Sequence, residues 1–87
     1  MKSFSLFSGS NNKTKKLEIE KIQNLLDKYL QGYTIIQADG VWKGLHEKTA
    51  VVEITTDQNI IPIIAELKTT LNQDAIAYRF NPTLLFL

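Results

Sequence analysis

Tyr33-Thr34-Ile35-Ile36-Gln37-Ala38 and Thr49-Ala50-Val51-Val52-Glu53-Ile54-Thr55 are two runs dense in β-branched residues, whose stiff side chains fit a pleated surface. They read as two strands of a hairpin. The polar stretch from Asp39 to Lys48 between them predicts a long, twisted connection. On the N-terminal side the period changes. Ile19, Ile22, Leu26 and Tyr29, with Leu25 and Leu30 beside them, recur every three or four residues, while Glu18, Glu20, Lys21, Gln23, Asp27 and Lys28 fall between. That pattern predicts an amphipathic helix from about Thr14, stopped by Gly32 where a left-handed residue commonly ends one. On the C-terminal side Ile60, Ile63, Ile64, Leu67 and Leu71 repeat at helical spacing, with Asp57 as the expected N-cap and Pro62 tolerable in the first turn.

The outermost segments complete the order. Phe4-Ser5-Leu6-Phe7 reads as a short strand, punctuated by Ser8-Gly9-Ser10-Asn11-Asn12. Asn72-Gln73-Asp74 breaks the second helix, and from Ala75 to Phe80 the residues Ile76, Tyr78 and Phe80 alternate with Ala77 and Arg79, as in a strand with two unlike faces; Pro82 closes it. Strand, helix, strand, strand, helix, strand makes two βαβ halves around a hairpin. The fold class is therefore α+β, a ferredoxin-like βαββαβ sandwich with two helices on one face of a four-stranded antiparallel sheet.

Composition agrees with one domain spanning residues 1–87. A chain of 87 residues hides only about 60–65% of the surface it exposes unfolded, so it gains from oligomerising. Hydrophobic residues make up 44% and charged residues 22%, which argues against a disordered tail or a membrane segment. A net charge of +1 is no footprint for nucleic acid, which calls for a clustered basic surface. Cysteine is absent, and His46 stands as a single histidine, so thiolate, disulfide and zinc-cluster chemistry are excluded and no metal site or cofactor is expected. Ser3, Ser5 and Ser8 interrupt the start, so no signal-peptide core is read there and the expected location is cytoplasmic.

Two apolar features ask for a partner. The sheet face away from the helices carries Thr34 or Tyr33, Val51, Glu53, Ala77 and Arg79, and its apolar members are costly to leave in water. The end, Leu84-Leu85-Phe86-Leu87, is equally apolar and reads as an edge strand for a neighbouring subunit. A homo-oligomer, trimer or dimer, is the expectation.

Gly32-Tyr33-Thr34-Ile35, Asp39-Gly40-Val41-Trp42-Lys43-Gly44, Glu47-Lys48-Thr49-Ala50-Val51-Val52-Glu53-Ile54 and Gln73-Asp74-Ala75-Ile76 together resemble the PII/CutA-like group of ferredoxin-like proteins. The likeness covers roughly residues 32 to 80 and is greatest to small uncharacterised families with a glycine and tryptophan in the second strand and a glutamate opening the third. It implies a subunit often found in trimers, with small ligands held in clefts between subunits. The stretch from Gly40 to Lys48 is far shorter than the signalling loop of PII proteins, and their ATP-binding motifs have no counterpart, so no nucleotide-binding residues carry over.

Three features have chemistry to offer, each with a plainer reading beside it. Asn11, Asn12, Lys13, Lys15 and Lys16 lie in a polar loop entering a helix, where free N–H groups and the helix dipole favour an anion. Lysines there oppose the dipole by ~0.3–1 kcal/mol each, so either an anionic ligand is bound or they are solvated loop residues. Trp42, Lys43, His46, Glu47 and Lys48 put an aromatic, an imidazole, a carboxylate and two amines in one hairpin: a stacking platform for a charged ligand, an acid–base pair, or a subunit contact with solvated polar neighbours. Consecutive strand residues point to opposite faces, which speaks against a His46–Glu47 pair. Arg79 either pairs with Glu53 across strands or reaches a ligand between subunits. No catalytic residue is assigned. The leading expectation is a non-catalytic, self-associating domain that binds a small anion or a protein at subunit clefts near Trp42. A phage or mobile-element inhibitor that docks on a host defence protein is the alternative, and a His46/Glu47-dependent enzyme stands last.

Overall fold

The computed structural model describes residues 2–81. They form β1 (Lys2–Gly9), α1 (Ile19–Tyr29), β2 (Thr34–Trp42), β3 (Leu45–Thr56), α2 (Ile61–Thr70) and β4 (Ala77–Asn81). The four strands make one sheet in the order β2-β3-β1-β4, every adjacent pair antiparallel. This is the expected ferredoxin-like βαββαβ arrangement. The apolar segment Leu84–Leu87 lies outside the described residues.

Alternation along β1 and β3 separates the faces, because residues directly opposite one another in a ladder share a side. Phe4, Leu6 and Ser8 pair with Ile54, Val52 and Ala50, and all six are buried. Onto them pack Ile22, Leu25 and Leu26 from α1 and Ile63, Ile64 and Leu67 from α2. Burying each of these aliphatic side chains contributes about 1.5–3 kcal/mol. The opposite face carries Ser3, Ser5, Phe7 and Gly9 of β1, paired with Thr55, Glu53, Val51 and Thr49 of β3 and, for the first three, with Asn81, Arg79 and Ala77 of β4. No described element covers that side. None of the described helices is long and apolar enough to cross a membrane.

Local chemistry departs from expectation at four boundaries. The hairpin connection is not long: β2 and β3 pair without interruption from Thr34↔Glu53 to Trp42↔Leu45, and Lys43 and Gly44 turn the chain with φ of 51° and 79°. Positive φ at both central residues is the tight-hairpin geometry that a glycine makes accessible. α1 starts at Ile19 rather than near Thr14, because residues 11–16 close on themselves: Asn11 N–H donates to Lys16 O at 2.9 Å and Lys15 N–H to Asn11 O at 2.7 Å, with Lys15 left-handed at φ 62°. Gly32 does not end the helix by a left-handed turn. The chain leaves through Leu30 in extended conformation, and the left-handed cap belongs to α2, where Asn72 has φ 52° and the N–H groups of Asn72 and Gln73 return to Thr69 O and Lys68 O, a Schellman pattern. The N-cap of α2 is Ile60 rather than Asp57, and just before it Asn59 Oδ1 accepts the Ile61 N–H at 3.1 Å.

Candidate functional site

Beyond the helices the β2–β3 hairpin continues as an arm. Its tip exposes Val41 and Trp42 at 62% each and Leu45 at 73%, a concentration of apolar surface that a solvated turn does not explain. Facing its root stands the loop of residues 10–17. Asn11 organises that loop from a buried position: its Oδ1 accepts from Lys13 N–H at 2.8 Å, Thr14 N–H at 3.3 Å and Asn72 Nδ2 at 3.3 Å, and its amide donates to Glu18. Ser10 Oγ donates to Lys48 O at 3.1 Å, and Gln73 Nε2 donates to Ser10 O. The loop is thereby tied to both the arm and the end of α2.

Between loop and arm runs a cleft of about 540 Å³ lined by Asn11, Asn12, Lys15, Lys16, Trp42, His46, Glu47 and Lys48 among others. The two polar clusters legible in the sequence, far apart along the chain, meet here. Within it Lys48 is committed to Asp39, at 2.6 Å. That hydrogen bond from the ammonium holds the Asp39 carboxyl below its ordinary range. No described carboxylate forms an ion pair with Lys15 or Lys16.

On the other side of the arm a second groove, about 570 Å³, is lined by Phe7, Gly9, Gly40, Trp42, Lys43, Glu47, Asp74 and Ile76 with their neighbours. Its floor depends on glycine. A Cβ at Gly9 would lie 2.5 Å from Glu47 Oε1, and one at Gly40 2.5 Å from Thr49 Oγ1, so the half-buried Glu47 carboxylate rests directly on the β1 backbone. Lys43 Nζ stands 5.9 Å from the Trp42 ring centroid, a cation–π distance. The two grooves share Asn12, Trp42 and Glu47, so they form one continuous surface around the indole.

Of the residues singled out in the sequence, neither Lys13 nor Arg79 lines either groove. Arg79 does not pair with Glu53 within the chain. Both stand in register with Ser5 on opposite sides of β1, the Arg79 guanidinium lies 5.6 Å from the Phe7 ring centroid, and Glu53 accepts from Ser5 Oγ at 2.9 Å. The helix-terminus anion site is also corrected. The start of α1 carries Glu18 and Glu20, not the lysines; the ammonium of Lys21, 2.8 Å from Glu18, and then the Asn11 amide hold the Glu18 carboxyl below its usual value. Backbone donors of Lys13, Thr14 and Lys16 are already spent on Asn11 and Thr14 side chains. What this loop leaves to offer an anion is the side-chain ammonium groups of Lys15 and Lys16, which line the cleft. His46 and Glu47 point to opposite sides of the sheet, as alternation requires. Phe7, Gly9 and Asp74 were missed as site residues; a strand and a helix exit bring them beside the hairpin, which no local pattern announces.

No family model and no curated protein matches the chain. Among solved structures it is similar to a phage SAM lyase in its apo state, with 15% identity and a TM-score of 0.69 over 92% of this chain and 78% of that one. It is similar to a DUF3240 family protein from Shewanella baltica, with 12% identity and a TM-score of 0.66 over 98% and 92%, and to CutA1 from Oryza sativa, with 14% identity and a TM-score of 0.58 over 100% and 84%. At these identities the likeness shows the fold, and the resemblance to CutA-like proteins holds at that level.

Proposed function

We propose that this chain is a self-associating domain that binds a small charged ligand astride Trp42 and Glu47. The observation that carries the reading is the shared wall of the two grooves: Asn12, Trp42 and Glu47 line both. One side offers the ammonium groups of Lys15 and Lys16 together with His46, suited to a carboxylate or phosphate. The other offers the Glu47 carboxylate beside Phe7, suited to a compact cation. An exposed indole between them is a platform for a flat ring. A zwitterion with an aromatic ring uses all three. S-adenosylmethionine belongs to that class, with its adenine, sulfonium and carboxylate, and the similarity of the fold to a phage SAM lyase supports trying it first. A stoichiometric inhibitor of a host protein has no need of such a cleft.

Isothermal titration with S-adenosylmethionine, and separately with inorganic phosphate, tests the reading. Binding of S-adenosylmethionine is expected to weaken by roughly tenfold or more in Trp42→Ala, since ring stacking is worth about 1–3 kcal/mol, and to weaken in Glu47→Gln and in Lys15→Ala. If neither compound binds at millimolar concentration, the cleft reading fails. A second reading, that the chain breaks S-adenosylmethionine down, is favoured by the same neighbour. Consumption in molar excess over protein, lost in Glu47→Gln, would establish it; recovery of intact compound leaves binding alone.

A further inference from the structure

The open sheet face carries a row that the ligand surface leaves unused: Glu53 on β3, Ser5 on β1 and Arg79 on β4, in register side by side. Glu53 is half-buried, and both its oxygens lie 2.9 Å from Ser5 Oγ, which in turn accepts from Asn81 Nδ2 at 3.0 Å. A single serine hydroxyl is thin compensation for a partly desolvated carboxylate. Arg79 is exposed, and among the described residues no carboxylate forms an ion pair with it. Around the row lie Phe7, Val51, Ala77 and Ile36, the last 51% exposed, and nothing described covers them.

The charges have a symmetry of their own. Adjacent strands stand about 4.8 Å apart, so the backbone positions of Glu53 and Arg79 flank Ser5 of β1 at about equal distances on opposite sides. A half-turn about an axis parallel to β1 and lying above the open face sets the Glu53 position of one copy over the Arg79 position of the other. The face is therefore complementary in charge to itself, apolar around the charges, and closed to the in-chain pair by the strand between. We propose that a second copy of this chain covers the open sheet face, with Arg79 of one copy paired to Glu53 of the other. This rests on the self-association proposed above and names the surface and contact through which it occurs. Placing the half-buried carboxylate against a bidentate guanidinium in an interface compensates both charges at once.

Charge reversal with light scattering tests the pair. Wild-type protein is expected at a multiple of the chain mass, Glu53→Arg and Arg79→Glu each at the mass of one chain, and the double reversal E53R/R79E back at the wild-type mass. Each single reversal is expected to raise the dissociation constant by roughly 100-fold or more, the scale of like charges juxtaposed across an interface. Circular dichroism confirms that each variant is folded, and the neutral variants Glu53→Gln and Arg79→Gln, expected to weaken association in the same direction, stand in if a reversal does not fold. A wild-type mass of one chain overturns the self-association reading and this pair with it. A wild-type oligomer whose mass no substitution changes, or a double reversal that does not recover it, overturns the pair alone.

Discussion

One ladder passes through two environments. At the root, β3 places Ala50, Val52 and Ile54 under two helices, each at most 1% exposed; farther along, the same strand pair carries Val41, Trp42 and Leu45 into solvent. Hydrogen bonding continues unbroken from one to the other, so the difference is not in the strands but in their cover. The body is stabilised by burial of apolar area, whereas the arm is held by its ladder, a two-residue turn and the Asp39–Lys48 pair. Exposed surface ion pairs of that kind are worth about 0–1 kcal/mol. The arm is therefore where apolar surface is available for a ligand or a partner, and the body is what fixes its geometry.

The largest expected effect breaks the body and spares the arm. Leu6 is fully buried at the centre of the sheet, and Leu6→Ala should cost about 3 kcal/mol, lowering the thermal midpoint by roughly 15 °C for a chain of this size. Trp42→Ala, at an exposed position, should shift stability by no more than about 0.5 kcal/mol. Thermal unfolding of both variants measures the contrast. Equal losses would mean that the arm is part of the core after all.

Asn11 is the joint between the two regions, and its replacement ranks second. Asn11→Ala leaves the Lys13 and Thr14 N–H groups and the Asn72 amide without their acceptor, a cost of about 2 kcal/mol. It also frees the segment that positions Lys15 and Lys16 against the arm. Stability and ligand affinity should fall together, which unfolding and titration calorimetry measure side by side. A loss of stability with unchanged affinity would show that the lysines do not depend on the loop for their placement.

The body was legible in sequence because its two periods, near 3.6 for Ile22, Leu25 and Leu26 and near 2 for Leu6, Val52 and Ile54, are imposed by burial itself. The open face was legible for the same reason: Val51, Glu53, Ala77 and Arg79 do lie on one side. The arm was not, because a Lys43-Gly44 turn interrupts no hydrophobic pattern; its only signal is a glycine after a residue able to take positive φ, flanked by Val41-Trp42 and Leu45. The two clusters of the cleft were each visible, but their meeting depends on the Asn11, Ser10 and Gln73 contacts, which join residues up to 63 positions apart. The same limit hid the separation of Glu53 from Arg79. Alternation places both on a face, and only the strand order inserts β1 between them.

The smallest effect sharpens the comparison at the root of the arm, where Tyr33 enters β2. Its hydroxyl donates to Asp27 Oδ1 at 2.6 Å, anchoring the first residue before the strand to α1. That hydrogen bond, with burial adding to it, pushes the phenol up to about 12, above the value near 10 of an unfolded tyrosine. Because the folded value is the higher one, the stability contribution is fully present below about pH 10 and is lost as pH rises through about 12. Ultraviolet absorbance titration should therefore show a late phenol ionisation that disappears in Tyr33→Phe. The stability difference between that variant and wild type should be small and should vanish with rising pH over the same interval. Tyr29 is also raised, by its hydrogen bond to Glu66, so a late step that survives in Tyr33→Phe would assign it to the α1–α2 contact and leave the root of the arm held by its backbone ladder alone.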